Sequence, residues 1–214
     1  MIGMDWDSAC LKLGLDPERA PDKLERYDIM PVGNVLEVGA GNGLLSHWIS
    51  YKYGLPVTAL DNYAGRGNKP DAMSVNTELG KLLDTDVSII KKPLMGYTGD
   101  HDTVIVDMTL HHIAQTRDRV YDNDGVVANM KRIYNTGCSV LYIAEVLPFT
   151  KEYFRYDKII GNVEPESKHY PGEWIDCCER AGFSRFSVRY LLPAVAMGKV
   201  CKKYAYIYVI EVQP

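Results

Sequence analysis

The chain has 214 residues, of which 46% are hydrophobic and 24% are charged, and its formal net charge at pH 7 is −4. This composition is typical of a soluble globular protein, and the length suits a single domain spanning residues 1–214. The acidic balance argues against a broad nucleic-acid-binding surface, and no apolar run reaches the length of about 18 residues that a membrane span needs.

Cysteine usage indicates a reducing environment. The cysteines are scattered along the chain at Cys10, Cys138, Cys177, Cys178 and Cys201. Their number is odd, and the adjacent pair matches no zinc-ligand spacing. We therefore expect reduced thiols, a cytoplasmic protein and no metal site.

The N-terminal segment, residues 1–33, is expected to be helical and irregular and to cover the functional site. Within it, Asp16 followed by Pro17 predicts an N-cap and the first position of a helix. Proline is tolerated there because the first helical amides have no partner within the helix.

An apolar strand that ends in glycines follows this segment. Residues 35–38 are short, apolar and β-prone, which predicts a buried strand. Glycines then occupy alternate positions, at Gly39, Gly41 and Gly43. Apolar residues recur at helical spacing over residues 42–53, and Gly54 suits the left-handed residue that ends a helix. A strand that passes through glycines into a helix N-terminus presents backbone N–H groups to a ligand.

Strands and helices alternate along the rest of the chain. Strands are predicted over residues 56–61, 87–90, 102–107 and 139–146, and helices over residues 71–83, with Asp71 as N-cap, 123–135 and 171–181. This alternation indicates an α/β protein with a mostly parallel sheet. The last predicted strands, 183–191 and 204–212, have no helix between them, so we expect them to pair antiparallel at one edge, the second with weak alternation.

Two classes of ligand are candidates for the loop that contains Gly39, Gly41 and Gly43, which we call the glycine loop. Dinucleotide-binding loops follow the pattern Gly-x-Gly-x-x-Gly/Ala, in which the third small residue seats the helix against the strand. Leu44 occupies that third position here, which disfavours a pyrophosphate. Asp61 ends the second strand at about the spacing expected for an acid that binds ribose hydroxyls. Because a carboxylate repels a 2′-phosphate, we expect an adenosine-containing ligand without that phosphate.

At these residues the sequence resembles the class I S-adenosylmethionine-dependent methyltransferases. The resemblance covers roughly residue 30 to the C-terminus and rests on motifs that occur in the order typical of that family. These motifs are Leu36-Glu37-Val38-Gly39-Ala40-Gly41-Asn42-Gly43, then Asp61, then Asp102-Thr103-Val104-Ile105-Val106 with Leu110-His111-His112-Ile113, and finally Glu173-Trp174-Ile175 with Ala181-Gly182-Phe183.

The resemblance implies a fold, a cofactor and a set of binding residues. The fold would be α/β, a Rossmann-like three-layer sandwich with a seven-stranded, mostly parallel sheet and a reversed C-terminal β-hairpin. The cofactor would be S-adenosylmethionine, with the glycines at its methionine half, Asp61 at the ribose, Asn62 and Tyr63 beside the adenine, and Asp107 near the methyl group. The implied cofactor-binding residues are Glu37, Gly39, Ala40, Gly41, Asn42, Gly43, Asp61, Asn62, Tyr63 and Asp107.

One departure from the family concerns the adenine. Many relatives have a Gly-Asp pair after the third strand, whose acid contacts the adenine amine. Here Ile90 is followed by Lys91, Lys92 and Pro93, with no acid. Either backbone groups near Pro93 and Leu94 substitute for it, or the affinity for the cofactor is low.

The candidates for catalysis are His111, His112 and Asp107. A neutral imidazole can take the proton of an attacking hydroxyl or amine. The alternative is that one histidine packs and the other borders the pocket. A shared metal ion is not expected, since adjacent residues of a helix point about 100° apart.

The candidates for substrate contacts are His169 and Tyr170, just before the last predicted helix, and Glu145, which ends the fifth strand. His169 and Tyr170 either reach over the pocket or form a surface loop. Glu145 either binds a substrate amine or acts as a cap.

Together these features predict in-line methyl transfer from S-adenosylmethionine to an oxygen, nitrogen or carbon atom of a small-molecule acceptor. The N-terminal segment and residues 147–170 would cover that acceptor. The alternatives are an RNA or protein acceptor, a non-catalytic relative that binds S-adenosylmethionine, and an NAD-dependent oxidoreductase. No membrane partner is expected.

Overall fold

The computed structural model describes residues 3–64, 69–113, 122–146, 170–191 and 207–214. Its strands are β1 (Val35–Val38), β2 (Val57–Asp61), β3 (Val87–Lys91), β4 (Thr103–Asp107), β5 (Val140–Val146), β6 (Arg185–Leu191) and β7 (Ile207–Gln213). Its helices are α1 (Trp6–Lys12), α2 (Arg19–Tyr27), α3 (Leu44–Tyr53), α4 (Ala72–Leu83), α5 (Leu110–Ile113), α6 (Asn123–Tyr134) and α7 (Pro171–Ala181).

Hydrogen bonds join the strands into a seven-stranded sheet in the order β3-β2-β1-β4-β5-β7-β6. β1 is parallel to β2 and β2 is parallel to β3, with Val57 opposite both Val35 and Val87. β7 is antiparallel to β5 and to β6, with Ile210 opposite Ile143 of β5. The predicted α/β fold, with a mostly parallel sheet and a reversed C-terminal hairpin, is confirmed.

The apolar runs of β1 and β7 become strands that are buried on both faces. All of β1 is buried, including the carboxylate residue Glu37. In β7, the four residues from Ile207 to Ile210 are each 0% exposed. Because consecutive residues of β7 are buried, both of its faces are covered, and the weak alternation predicted for it does not appear as alternating burial.

The chain divides into two compact units, Met1–Ile105 and Val106–Pro214. In the first unit, Trp6 of α1 packs against Trp48 of α3, with ring centroids 4.9 Å apart. The Trp6 indole N–H donates to the carbonyl of Pro17 at 2.8 Å. These contacts hold α1 against α3. That the N-terminal segment covers the functional site stays a prediction, as does the single domain.

In the second unit, α7 begins and ends where the sequence predicts. Pro171 is its first residue, and Gly182 follows its last residue with φ 117°. Behind this turn the rings of Tyr134 and Phe183 meet edge to face at 5.2 Å. The indole of Trp174 is 1% exposed and contributes to the core of this unit.

Two helix starts differ from the prediction. Asp16 accepts a hydrogen bond from the backbone N–H of Glu18 at 3.1 Å, which forms a turn, and α2 begins only at Arg19. Pro17 is therefore not the first residue of that helix. Asp71 precedes α4 as predicted, but its side chain makes no capping hydrogen bond. Its backbone, at φ −96° and ψ 2°, is outside the extended region that N-cap residues adopt.

Among the helices within the described ranges, none combines the length and the hydropathy that crossing a lipid bilayer would require.

Candidate functional site

The glycines after β1 all adopt left-handed backbone conformations, with φ 77° at Gly39, 54° at Gly41 and 74° at Gly43. A side chain would strain each of these positions, which explains the glycines. The loop is tied to β2 by the amide of Gly39, which donates to the carbonyl of Leu60 at 2.7 Å. Gly43 then serves as the N-cap of α3, and its amide donates to the carbonyl of Ala40 at 2.9 Å.

Asp61 connects the glycine loop to the loop after β2. It is 8% exposed, and its Oδ2 accepts from the backbone N–H of Gly41 at 2.9 Å. Its Oδ1 accepts from the backbone N–H of Tyr63 at 2.6 Å. Since a carboxylate oxygen can accept more than one hydrogen bond, these bonds do not exclude ribose hydroxyls. The sequence indicates the acid at the strand end, but not that it holds both loops.

Asn62 and Tyr63 follow Asp61 in the chain. Asn62 is exposed, and its Oδ1 accepts from the backbone N–H of Ala64 at 2.8 Å. Tyr63 has φ 54°, an uncommon value for a residue with a side chain. Burial raises the pKa of the Tyr63 hydroxyl to about 12, so the ring is neutral at physiological pH.

The other predicted residues of the loop have structural partners close by. Glu37 is 4% exposed, and its Oε2 accepts from the hydroxyl of Ser46 on α3. The Oδ1 of Asn42 accepts from the amide of Leu44 at 3.3 Å, at the start of the same helix. These bonds tie the loop to the first turns of α3, and a direct role of Glu37, Ala40 or Asn42 in binding stays a prediction.

Asn76 of α4 contacts the same loops and was not expected from the sequence. It is 0% exposed, and its Nδ2 donates to the carbonyl of Gly41 at 3.4 Å and to the hydroxyl of Tyr63 at 3.1 Å. The signal available in the sequence is its place in the buried stripe of α4, between Ala72 and Leu79. A polar residue in such a stripe must find partners inside the protein.

A cleft of about 510 Å³ adjoins Tyr63. Met73 and Thr77 of α4 line it on one side and Lys91, at the end of β3, lines it as well. Lys91 is the first residue of the stretch after Ile90 in which the family pattern would place an acid. The cleft therefore lies beside the stretch at which the sequence departs from that pattern.

In the second unit, His111 and Glu145 form a buried pair. His111 is 4% exposed and Glu145 is 1% exposed. The Nδ1 of His111 lies 2.8 Å from Oε2 of Glu145, and the backbone N–H of His111 donates to Oε1 at 3.3 Å. Because a carboxylate only accepts, Nδ1 carries a hydrogen, and Nε2 is the ring nitrogen that Glu145 does not engage. The pairing gives Glu145 a partner that the sequence analysis did not consider.

The chain turns sharply before this pair. Asp107 ends β4, and Met108 follows with φ 52°, in the left-handed region. The amide of Met108 donates to the carbonyl of Ala144 at 2.8 Å, which holds the turn. The ring centroids of His111 and His112 are 4.0 Å apart. No group of side chains that could hold a metal ion occurs among the described residues.

Of the two remaining candidates for substrate contacts, the structure describes Tyr170 only. Tyr170 is exposed, and its backbone N–H donates to Oε2 of Glu173 at 2.7 Å at the start of α7. His169 lies outside the described residues. The catalytic and substrate roles of these residues, and of Asp107 and His112, stay predictions.

No protein-family model matches this sequence, and neither does any curated protein sequence. Solved structures match it in fold. Mitomycin 7-O-methyltransferase superposes with a TM-score of 0.63 at 19% identity, covering 95% of this chain and 54% of its own. Magnesium protoporphyrin IX methyltransferase from Synechocystis, with bound S-adenosylhomocysteine, gives 0.58 at 16% identity, with coverages of 97% and 82%. Haemonchus contortus phosphoethanolamine N-methyltransferase 2, in complex with S-adenosylmethionine, gives 0.64 at 13% identity, with coverages of 96% and 56%.

The chain thus spans little more than half the length of the first and third of these proteins. At such low identities the similarity concerns the fold. The chain has the fold of the class I S-adenosylmethionine-dependent methyltransferases, as its motifs indicated.

Substitution of Gly43 tests the packing of the loop. A Cβ at Gly43 would lie 2.2 Å from Oδ1 of Asn76, whereas a Cβ at Gly54, with a similar φ of 65°, would meet nothing within 4 Å. Both alanine variants lose about 1–2 kcal/mol from the left-handed backbone, and Gly43→Ala loses about 1–3 kcal/mol more from overpacking. Urea unfolding of the two variants measures the difference. Equal losses would contradict this packing.

Proposed function

We propose that this protein is an S-adenosylmethionine-dependent methyltransferase whose cofactor binds at the glycine loop and Asp61. The observation that carries the proposal is the hydrogen bond from the Gly41 N–H to the Asp61 carboxylate, in a loop whose glycines all have left-handed backbone conformations. The loop offers a surface without side chains, and the acid offers acceptors for ribose hydroxyls. The named neighbours in complex with S-adenosylmethionine or S-adenosylhomocysteine support the same cofactor.

The start of α3 supports this cofactor over a dinucleotide. Leu44 is the first residue of the helix and is 6% exposed. Its side chain fills the position where a dinucleotide loop needs a small residue to bring the helix N-terminus close to a pyrophosphate. An adenosine-containing ligand without a pyrophosphate has no such requirement.

The work left to the protein is mainly orientation. When bound, the cofactor supplies a methyl sulfonium that is already activated for in-line displacement by a nucleophile. The chain must therefore hold the cofactor and the acceptor in line, and such orientation can lower the barrier by several kcal/mol. Asp61 and the glycine loop would fix the adenosine and methionine parts, with Asn62 and Tyr63 beside the adenine.

Titration calorimetry with S-adenosylmethionine, S-adenosylhomocysteine and NAD tests the proposed cofactor. The wild-type protein binds both adenosyl ligands and gives no heat with NAD. Asp61→Ala weakens binding by about 10- to 100-fold, because hydrogen bonds to a charged group are worth about 1.5–3 kcal/mol. Asp71→Ala is the matched control, since that acid is exposed and makes no capping bond, and its affinity equals that of the wild type. Absence of heat with either adenosyl ligand would contradict the proposal.

The buried His111–Glu145 pair supports an acceptor that carries a proton, such as a hydroxyl of a small molecule. The Glu145 carboxylate orients the ring, so that Nε2 of His111 can accept the proton as the methyl group is transferred. In this proposal Glu145 positions His111 instead of binding a substrate amine. The names of two neighbours contain small-molecule acceptors, mitomycin and magnesium protoporphyrin IX, and this supports a small-molecule acceptor.

The base is tested with radiolabelled S-adenosylmethionine and a panel of phenols and hydroxylated aromatic acids. For an acceptor that is methylated, His111→Ala lowers kcat by about 100- to 10,000-fold, the usual contribution of a general base. His112→Ala, at the adjacent position, stays within a few-fold of the wild type. Equal losses in the two variants, or an unchanged kcat in His111→Ala, would contradict the role of His111.

A further inference from the structure

The peptide group of Gly41 is held from both sides. Its N–H donates to Oδ2 of Asp61 at 2.9 Å, and its carbonyl accepts from Nδ2 of Asn76 at 3.4 Å. The same Nδ2 donates to the hydroxyl of Tyr63 at 3.1 Å. Asp61 and Asn76 therefore each contact the glycine loop and the loop after β2, the first through backbone amides and the second through a side-chain amide.

His47 fixes the orientation of the Asn76 side chain. Nε2 of His47 lies 2.9 Å from both Oδ1 and the backbone carbonyl of Asn76. Both of these atoms only accept, so Nε2 carries the hydrogen, and Nδ1 accepts from the hydroxyl of Thr85 at 2.7 Å. Burial lowers the pKa of His47, which keeps the ring neutral. The Asn76 oxygen is thus directed at His47 and its NH₂ group at the two loops.

Packing also holds Asn76 in place. Its amide lies so close to Gly43 that a Cβ there would be 2.3 Å from Cγ. His47 is held in turn by Gly80 of α4, where a Cβ would be 2.9 Å from Cε1 of the ring. Asn76 and His47 are each 0% exposed. The Asn76 amide therefore has one arrangement that satisfies its neighbours.

We propose that Asn76 is a positioning residue for the cofactor: it holds the Gly41 carbonyl and the Tyr63 ring in the conformation that binds the adenosyl ligand. This inference rests on the function proposed above. The hydroxyl of Tyr63 accepts from Nδ2 of Asn76 at 3.1 Å, and the ring is half-buried. A contact that already restricts the ring lowers the cost of ordering the site when the ligand binds.

The experiment measures the affinity for S-adenosylhomocysteine by calorimetry and the free energy of unfolding by urea in the same proteins. Asn76→Ala weakens binding by about tenfold, the loss of about one hydrogen bond in a preorganised site. Asn129→Ala is the matched control. Asn129 is a buried asparagine of α6, 8% exposed, whose Nδ2 donates to the carbonyl of Gly125 at 2.8 Å. The Asn129→Ala variant is expected to lose stability and to keep the wild-type affinity for S-adenosylhomocysteine.

Tyr63→Phe separates positioning from a general structural role. If Asn76 acts through the Tyr63 hydroxyl, the effect of Asn76→Ala on the affinity is smaller when Tyr63 is already phenylalanine. Asn76→Asp keeps the side-chain volume and replaces the NH₂ donor with an acceptor, so it also weakens binding. This variant provides the test if Asn76→Ala does not fold.

Three results decide the matter. Affinity within twofold of the wild type in both Asn76 variants would overturn the positioning role and leave the proposed function intact. Fully additive effects of Asn76→Ala and Tyr63→Phe would overturn the part of the role that runs through the Tyr63 ring. No binding of S-adenosylhomocysteine by the wild type would overturn the proposed function itself.

Discussion

The hydrogen bond from the Gly41 amide to Asp61 is the interaction on which the first unit of this protein depends. In the loop after β1, the left-handed backbone directs the amide of Gly41 at a side chain instead of a strand or a helix. Asp61 accepts from this amide and, through its other oxygen, from the amide of Tyr63. One carboxylate at the end of β2 thereby sets the path of both loops, and its burial makes the loss of either bond costly.

In the second unit, too, one buried carboxylate accepts two hydrogen bonds. Glu145, at the end of β5, holds both the ring and the backbone of His111. Two polar side chains that are buried together are stable only when their hydrogen bonds are satisfied. The arrangement therefore holds a hydrogen on Nδ1 of His111 and leaves Nε2 unengaged by the carboxylate. This property suits proton transfer from a hydroxyl acceptor in the reaction proposed here.

Much of the fold is predictable from the sequence because its signals are local. The apolar run before Gly39, the helical stripe that ends at Gly54 and the start of α7 at Pro171 each follow from residues that are near one another in the chain. The helix starts near Asp16 and Asp71 were predicted less well. An aspartate signals a turn and a cap alike, and the backbone angles decide between them.

The candidate site is only partly predictable, because its contacts join distant residues. The positions of Asp61 and of the glycines follow from motif spacing. The pairing of His111 with Glu145 spans two elements, and a pattern cannot distinguish it from a cap and a packed ring. Asn76 belongs to a helix whose periodicity marks it as buried but says nothing of its partners.

A crystal structure of the protein grown with S-adenosylhomocysteine tests the central claim most directly. We expect the ligand against Gly39, Gly41 and Gly43, with the ribose hydroxyls within about 3 Å of the Asp61 carboxylate. The Gly41 and Tyr63 amides would keep their bonds to Asp61. A ligand bound away from this loop, or with Asp61 turned away from the ribose, would contradict it.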